Sequence, residues 1–202
     1  YEEEEEVSSI LDKAEETRFW VSEGHEKQQF IPITNILNDT FERIDHIHKE
    51  KGKLRGVPTG FDDLDSLLAG LQGSDLIILA ARPSVGKTTF ALDIARNVGI
   101  KAKVPVGIFS LEMSKEQLVD RLLCAEANVD LWKMRTGRLS DKEEDDDFPR
   151  IGHAMGTLAE APIFIDDFAN ANIMEIRTKA RRLQMEHNLG LIIVDYLQLM
   201  EG

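Results

Sequence analysis

The stretch LIILAARPSVGKTTF, Leu76 to Phe90, decides how the rest of the chain is read. Five apolar residues, Leu76 to Ala80, run into Ala81-Arg82-Pro83-Ser84-Val85-Gly86-Lys87-Thr88, and an amphipathic pattern follows. This order predicts a buried strand, a tight loop and a helix. The spacing from Ala81 to Gly86-Lys87-Thr88 is that of a P-loop, with Ala in place of the usual first Gly. A triphosphate needs several backbone N–H groups turned inward, and Gly86 has no Cβ to obstruct that approach. The positive end of a helix starting near Lys87 favours the same anion. Lys87 supplies a mobile point charge for the β- and γ-phosphates, and the Thr88 hydroxyl suits Mg2+. Ala81 implies that φ need not be positive there, or that the loop closes a little differently.

At 202 residues the chain can hold one sizeable α/β core with a small appendage. Its hydrophobic fraction of 42% and charged fraction of 30% suit a globular protein. No apolar run approaches the roughly 18 residues of a membrane span. The N-terminus is acidic, unlike a secretory signal, so the expectation is a cytoplasmic protein without a membrane partner. Cys124 is the one cysteine, which excludes an internal disulfide and fits a reducing compartment. It reads as a small buried apolar residue. A net charge of −13 argues against a broad basic nucleic-acid surface, although Glu2 to Glu6 and Asp141 to Asp147 hold much of the excess. The chain begins at Tyr1 and stops soon after a strand pattern, which suggests a piece of a longer protein.

Residues 1–24 carry Val7, Ile10, Leu11, Ala14 and Val21 near one helical face, widened by Phe19 and Trp20. Such a helix must dock, either on the domain behind it or on a neighbouring subunit. Residues 25–33 read as a linker around Pro32. A second helix is predicted from Asn35 to Lys49, with Ile36, Leu37, Thr40, Phe41, Ile44 and Ile47 on its apolar face. A short helix carries Leu64, Leu67 and Leu68 and is closed by Gly70. The P-loop helix runs to about Val98, with Phe90, Ile94 and Val98 inward and Gly99 as its C-cap. Val106 to Leu111 is a strand, and Ser114 with Gln117 starts a helix ending near Ala127. Asn128 to Gly137 is a short helix or turn. Ser140 and Glu143 repeat the capping signature, which predicts a helix kinked near Pro149 and regular from Arg150 to Glu160. The acidic run before Pro149 reads as solvated surface. Pro162 to Asp167 is a strand, and Ile173 to His187 a helix with Ile173, Ile176, Ala180 and Leu183 inward. Its other side carries Arg177, Lys179, Arg181 and Arg182, either a solvated face or a contact for phosphates or acidic neighbours. Leu191 to Val194 is the fourth strand. Strands alternating with helices imply a mainly parallel sheet flanked by helices.

Four apolar residues ending in Asp195 form the pattern called Walker B, a carboxylate placed at the C-terminal sheet edge to hold Mg2+. Hydrolysis needs a further carboxylate to orient or deprotonate water. Tyr196 follows Asp195, so that group comes from elsewhere. Glu112 is the best candidate, just past a strand at the same edge, and Asp166 and Asp167 share that placement. Gln198 either senses the γ-phosphate or is an ordinary polar loop residue.

Several separate stretches together resemble one family. Thr59-Gly60-Phe61-Asp62-Asp63-Leu64-Asp65 resembles the opening of RecA-type ATPase domains. Ala80 to Thr88, Ser110-Leu111-Glu112-Met113-Ser114 and Val194-Asp195-Tyr196-Leu197-Gln198-Leu199-Met200 are similar to motifs of the bacterial replicative DNA helicases, the DnaB family. The resemblance implies an α/β RecA-like P-loop NTPase domain over 34–202, incomplete at its C-terminus and preceded by a linker helix over 1–24. It implies ATP and Mg2+ as cofactors. Ala81, Arg82, Pro83, Ser84, Val85, Gly86, Lys87, Thr88, Thr89 and Gln198 would meet the nucleotide, Thr88 and Asp195 the metal, and Glu112 with Lys87 the reaction. It also implies a homo-hexamer moving on single-stranded DNA, with primase and a helicase loader as partners. The DNA-binding loops and an arginine finger are expected beyond residue 202. A RecA or clock-type ATPase and a nucleotide-switched loader module are the competing readings.

Overall fold

The computed structural model describes residues 32–49, 54–142, 146–168 and 172–199. The expected helix over 1–24 and most of the linker after it lie outside the described residues. Two units divide the chain, Tyr1–Lys53 and Leu54–Gly202. In the first, helix α1 (Ile33–Lys49) forms as the apolar spacing predicts and begins earlier than Asn35.

The second unit is built on β1 (Val106–Ser110), whose five residues are all buried. It lies between β2 (Ile163–Asp166) and β3 (Leu191–Asp195), and both pairings are parallel. Around the sheet come α2 (Asp62–Leu68), α3 (Lys87–Asn97), α4 (Lys115–Ala127), α5 (Leu131–Thr136), α6 (Asp147–Ala159) and α7 (Ile173–His187). Strand alternation divides β1 between two cores. Val106 and Ile108 meet Leu92 and Ala95 of α3, Val98, and Leu118 and Leu122 of α4. Phe109 turns to the other side, against Ile176 and Ala180 of α7. Gly107 lets α7 lie close, since a Cβ there would stand 3.1 Å from Leu183. Each fully buried aliphatic side chain contributes about 1.5–3 kcal/mol. An exposed ion pair of this unit, such as Arg182–Glu186, contributes roughly 0–1 kcal/mol, so packing dominates its stability.

Four expectations need correction. Leu76 to Ala80 is not a strand: the segment carries no sheet pairing, and Leu76 and Ile78 are 86% and 74% exposed. An apolar run announces a wish for burial, but a strand also needs a ladder partner, and among the described residues only β1, β2 and β3 share the sheet. Gly99 does not cap α3. The chain continues through a π-helical turn, Val98–Ala102, and the left-handed residue is Lys103 at φ 55°. Gly99 is spent on close packing, with a Cβ there 2.6 Å from Ile163. Ile173 is exposed rather than inward, because it is the first residue of α7 and lies beyond the contact made by Ile176 and Ala180.

The fourth correction concerns Ser140. No helix starts there; Asp146 caps α6 by accepting from the Phe148 N–H at 2.9 Å. Pro149 then falls in the first turn, where its missing N–H costs nothing. Asp147 is not solvated but fully buried. It accepts from the Ser140 backbone N–H at 2.8 Å and pairs with Lys133 at 3.5 Å and with Arg150. The capping residue had to be the one that places Asp147 between those cations. Other caps fall as expected: Ser114 accepts from the Gln117 N–H at the start of α4, and Gly137 ends α5 at φ 67°.

A second buried carboxylate ties the start of the unit to the P-loop helix. Asp65 accepts from the Thr59 N–H and hydroxyl, both at 2.8 Å, and from the Gly60 N–H at 3.1 Å. Asn97, at the end of α3, donates to the Thr59 carbonyl at 3.2 Å, and the Phe61 and Phe90 rings lie 4.9 Å apart. Gly60 has φ 81°, and a Cβ there would stand 2.6 Å from the Asn97 side chain.

Two outcomes follow. Gly60→Ala should cost about 2–4 kcal/mol in urea unfolding, left-handed strain plus a clash, whereas Gly137→Ala, with open space around it, should cost about 1–2 kcal/mol. Equal costs would contradict the Thr59–Asn97 clamp. The second concerns acid. The Ser140 N–H, with Lys133 and Arg150, holds the Asp147 carboxyl below the ordinary range against the opposing effect of burial. The stability this supplies is present above the unfolded-chain value of about 3.9 and is lost as pH falls through the lower folded-state value. Thermal unfolding of Asp147→Asn should therefore show a lower midpoint near neutral pH and a flatter acid limb than the parent protein.

Candidate active site

The loop before α3 turns at Pro83 and Ser84, with the Val85 N–H donating to the Arg82 carbonyl at 3.3 Å. Positive φ falls on Ser84 at 65° and Gly86 at 101°, and not on Ala81, which explains why alanine is accepted there. Ala81 to Gly86 are all exposed. Gly86 stands at the N-cap of α3, and no side chain caps the helix there. The first helical hydrogen bond is from the Phe90 N–H to the Gly86 carbonyl, 2.9 Å. Helix geometry leaves the N–H groups of Lys87, Thr88 and Thr89 without intrahelical acceptors, and a Cβ at Gly86, beside them, would meet nothing within 4 Å. That is an anion-binding arrangement.

The loop's side chains converge on Asp195 at the end of β3. The Thr88 hydroxyl donates to Asp195 Oδ2 at 2.6 Å across a separation of 107 residues. Lys87 Nζ lies 2.8 Å from Asp195 Oδ1. Asp195 is buried, so the ammonium and hydroxyl offset a charge that alone would be costly there. Neither half of this constellation depends on the Leu76 segment being a strand, since α3 is seated by Leu92 and Ala95.

Strand register brings Glu112 to the same edge. Ser110 pairs with Asp195, and the next N–H, that of Leu111, donates to the Asp195 carbonyl at 2.8 Å. The buried Ser110 hydroxyl donates to the Met113 carbonyl at 2.7 Å and accepts from the Met113 N–H at 3.1 Å. This pins the turn that leaves the Glu112 side chain exposed. Asp166 and Asp167 also end a strand, but both are engaged. Asp166 pairs with Lys179 at 2.6 Å. Asp167 accepts from the Lys115 N–H at 3.0 Å, and that bond holds its carboxyl below the ordinary range. Gln198 lies exposed in a 3-10 turn, Leu197–Leu199. Of the basic side of α7, Lys179 is committed to Asp166 and Arg182 pairs with Glu186 at 2.9 Å.

Sequence reasoning missed the placement of Tyr196. Lys87 Nζ stands 4.1 Å from the centroid of its ring. The signal available was its position directly after Asp195.

The donor set fits a nucleotide with a divalent cation. Thr88 and Asp195 offer two oxygen ligands, which is the partial set Mg2+ takes from protein when phosphate oxygens and water complete its octahedron. Among the described residues no group of three or more His, Cys, Asp or Glu side chains could hold a metal. Among those residues, too, no helix is long and apolar enough to cross a membrane.

Two solved structures share this architecture. One, described as an ATPase domain, has a TM-score of 0.76 and 30% identity, covering 86% of this chain and 60% of that one. The other, a DnaB-like replicative helicase described with its interactions with primase, has a TM-score of 0.77 and 30% identity, covering 96% and 46%. The fold is therefore an α/β RecA-like P-loop ATPase fold. The family described as DnaB-like helicase C-terminal domain matches residues 56–202, and the chain belongs to that family. It is 47% identical over 202 residues to the replicative DNA helicase DnaC of Bacillus subtilis and 46% identical to the replicative DNA helicase DnaB of Geobacillus stearothermophilus. It spans 44% of the length of each.

Proposed function

We propose that this chain is the ATP-driven motor portion of a replicative DNA helicase, coupling ATP hydrolysis to movement along single-stranded DNA and to duplex unwinding. The observation that carries the reading is the convergence of Lys87 and Thr88 on Asp195, with Glu112 leaving the adjacent strand one residue beyond the Leu111–Asp195 bond. In this reading Ala81 to Thr89 receive the phosphates of ATP. Thr88 and Asp195 hold Mg2+, which would neutralise developing charge on the phosphates. Lys87 stabilises the β- and γ-phosphates, Glu112 draws the proton from the attacking water, and Gln198 meets the γ-phosphate. The engagement of Asp166 and Asp167 elsewhere supports Glu112 over either.

Membership of the family and the names of its relatives support the helicase over a RecA or clock-type ATPase. The wider reading follows the same resemblance: a cytoplasmic homo-hexamer, 5′-to-3′ movement, and primase and a loader as partners. By the same resemblance residues 1–24 would be its linker helix, 25–33 a linker and 34–202 the ATPase domain.

Glu112→Gln in the intact protein should lower hydrolysis by about 10²–10⁴-fold and abolish unwinding while nucleotide still binds. Asp166→Asn and Asp167→Asn should keep hydrolysis. Unchanged unwinding in Glu112→Gln would remove Glu112 from this role. Residues 1–202 alone should bind nucleotide but hydrolyse it poorly, because an arginine finger contributed from beyond residue 202 is worth on the order of 10³–10⁵ in rate. Fast, DNA-stimulated turnover by residues 1–202 would contradict this.

A further inference from the structure

We propose that Tyr196 is a positioning residue for Lys87, its ring face holding the ammonium group where the triphosphate is received. The inference rests on the nucleotide reading of the loop. Among the described residues Lys87 has two partners, Asp195 Oδ1 at 2.8 Å and the Tyr196 ring at 4.1 Å. These partners respond differently to a ligand. The Asp195 carboxylate also accepts from Thr88, so a cation taken up by Thr88 and Asp195 competes directly with Lys87 for it. The ring does not compete. Its quadrupole attracts the ammonium, yet the ring face carries no net charge to repel phosphate and offers no lone pair to Mg2+. Lys87 therefore keeps one partner when the other is withdrawn, and the flexible lysine stem remains near its working position. A carboxylate at 196 would hold Lys87 as well but would bind the cation and oppose the incoming phosphates. An aliphatic residue would fill the space and hold nothing.

The test is binding of a fluorescent ATP analogue with Mg2+ to the intact protein, with position 196 varied. Tyr196→Phe keeps the ring face and should stay within about twofold of the parent. Phenylalanines carrying one, two and three ring fluorines, introduced at 196 by codon reassignment, change size little but drain the quadrupole. Affinity should fall stepwise along that series, approaching the value of Tyr196→Leu, a total loss of about three- to tenfold. Thermal midpoints should stay level across the fluorinated set. A flat series, with every fluorinated variant equal to Phe, would overturn the proposal and leave Tyr196 a packing residue. Absence of nucleotide binding by the parent protein would overturn the loop reading itself, and this proposal with it.

Discussion

Everything at the site depends on one buried carboxylate finding its partners. Asp195 closes β3 in a place where an unpaired charge would cost several kcal/mol, and Lys87 and Thr88 reach it from the start of α3. Neither contact is local. The strand end is fixed by the β1–β3 register, and the helix start is fixed by Leu92 and Ala95 packing against β1 and α4. The Thr59–Asp65–Asn97 clamp holds the far end of the same helix. The site is therefore a consequence of how α3 is pinned at both ends, with the apolar core supplying most of the stability and the polar contacts supplying direction.

What the sequence revealed of this depends on whether a residue's partner was close by in the chain. Helix α7 is legible from Ile173 to His187 because both ends are local, with Asn172 and Glu175 exchanging hydrogen bonds at its start and Asn188 left-handed at its end. β1 and β3 are legible as apolar runs bounded by turn residues. The same logic fails at Leu76 to Ala80, where apolarity is present but pairing is not. It fails again at Ser140, because Asp147 is drawn inward by Lys133 and by the Ser140 N–H itself, which no helical spacing connects to it. The members of the candidate site could be named from spacing, since Gly86, Lys87, Thr88 and Asp195 are residue types suited to phosphate and Mg2+, and the structure brings Lys87 and Thr88 to Asp195. Glu112 was the best candidate in the sequence without excluding Asp166 and Asp167, and the engagement of those two by Lys179 and the Lys115 N–H supports the proposed choice.

The proposed roles also give a physical reason for splitting the two carboxylates between neighbouring strands. Two acidic groups in succession after β3 would repel one another, and one would tend to retain its proton. Moving the water-directed carboxylate to Glu112, on the turn after β1, separates the charges while the Leu111–Asp195 hydrogen bond keeps the two strand ends in step. Position 196 is then released from acid–base duty and is filled by an aromatic ring beside Lys87. In the proposed roles the three positions form one solution: Asp195 would face the cation, Glu112 is held one strand away by backbone bonding, and Tyr196 occupies the next place with a group that attracts an ammonium without adding negative charge.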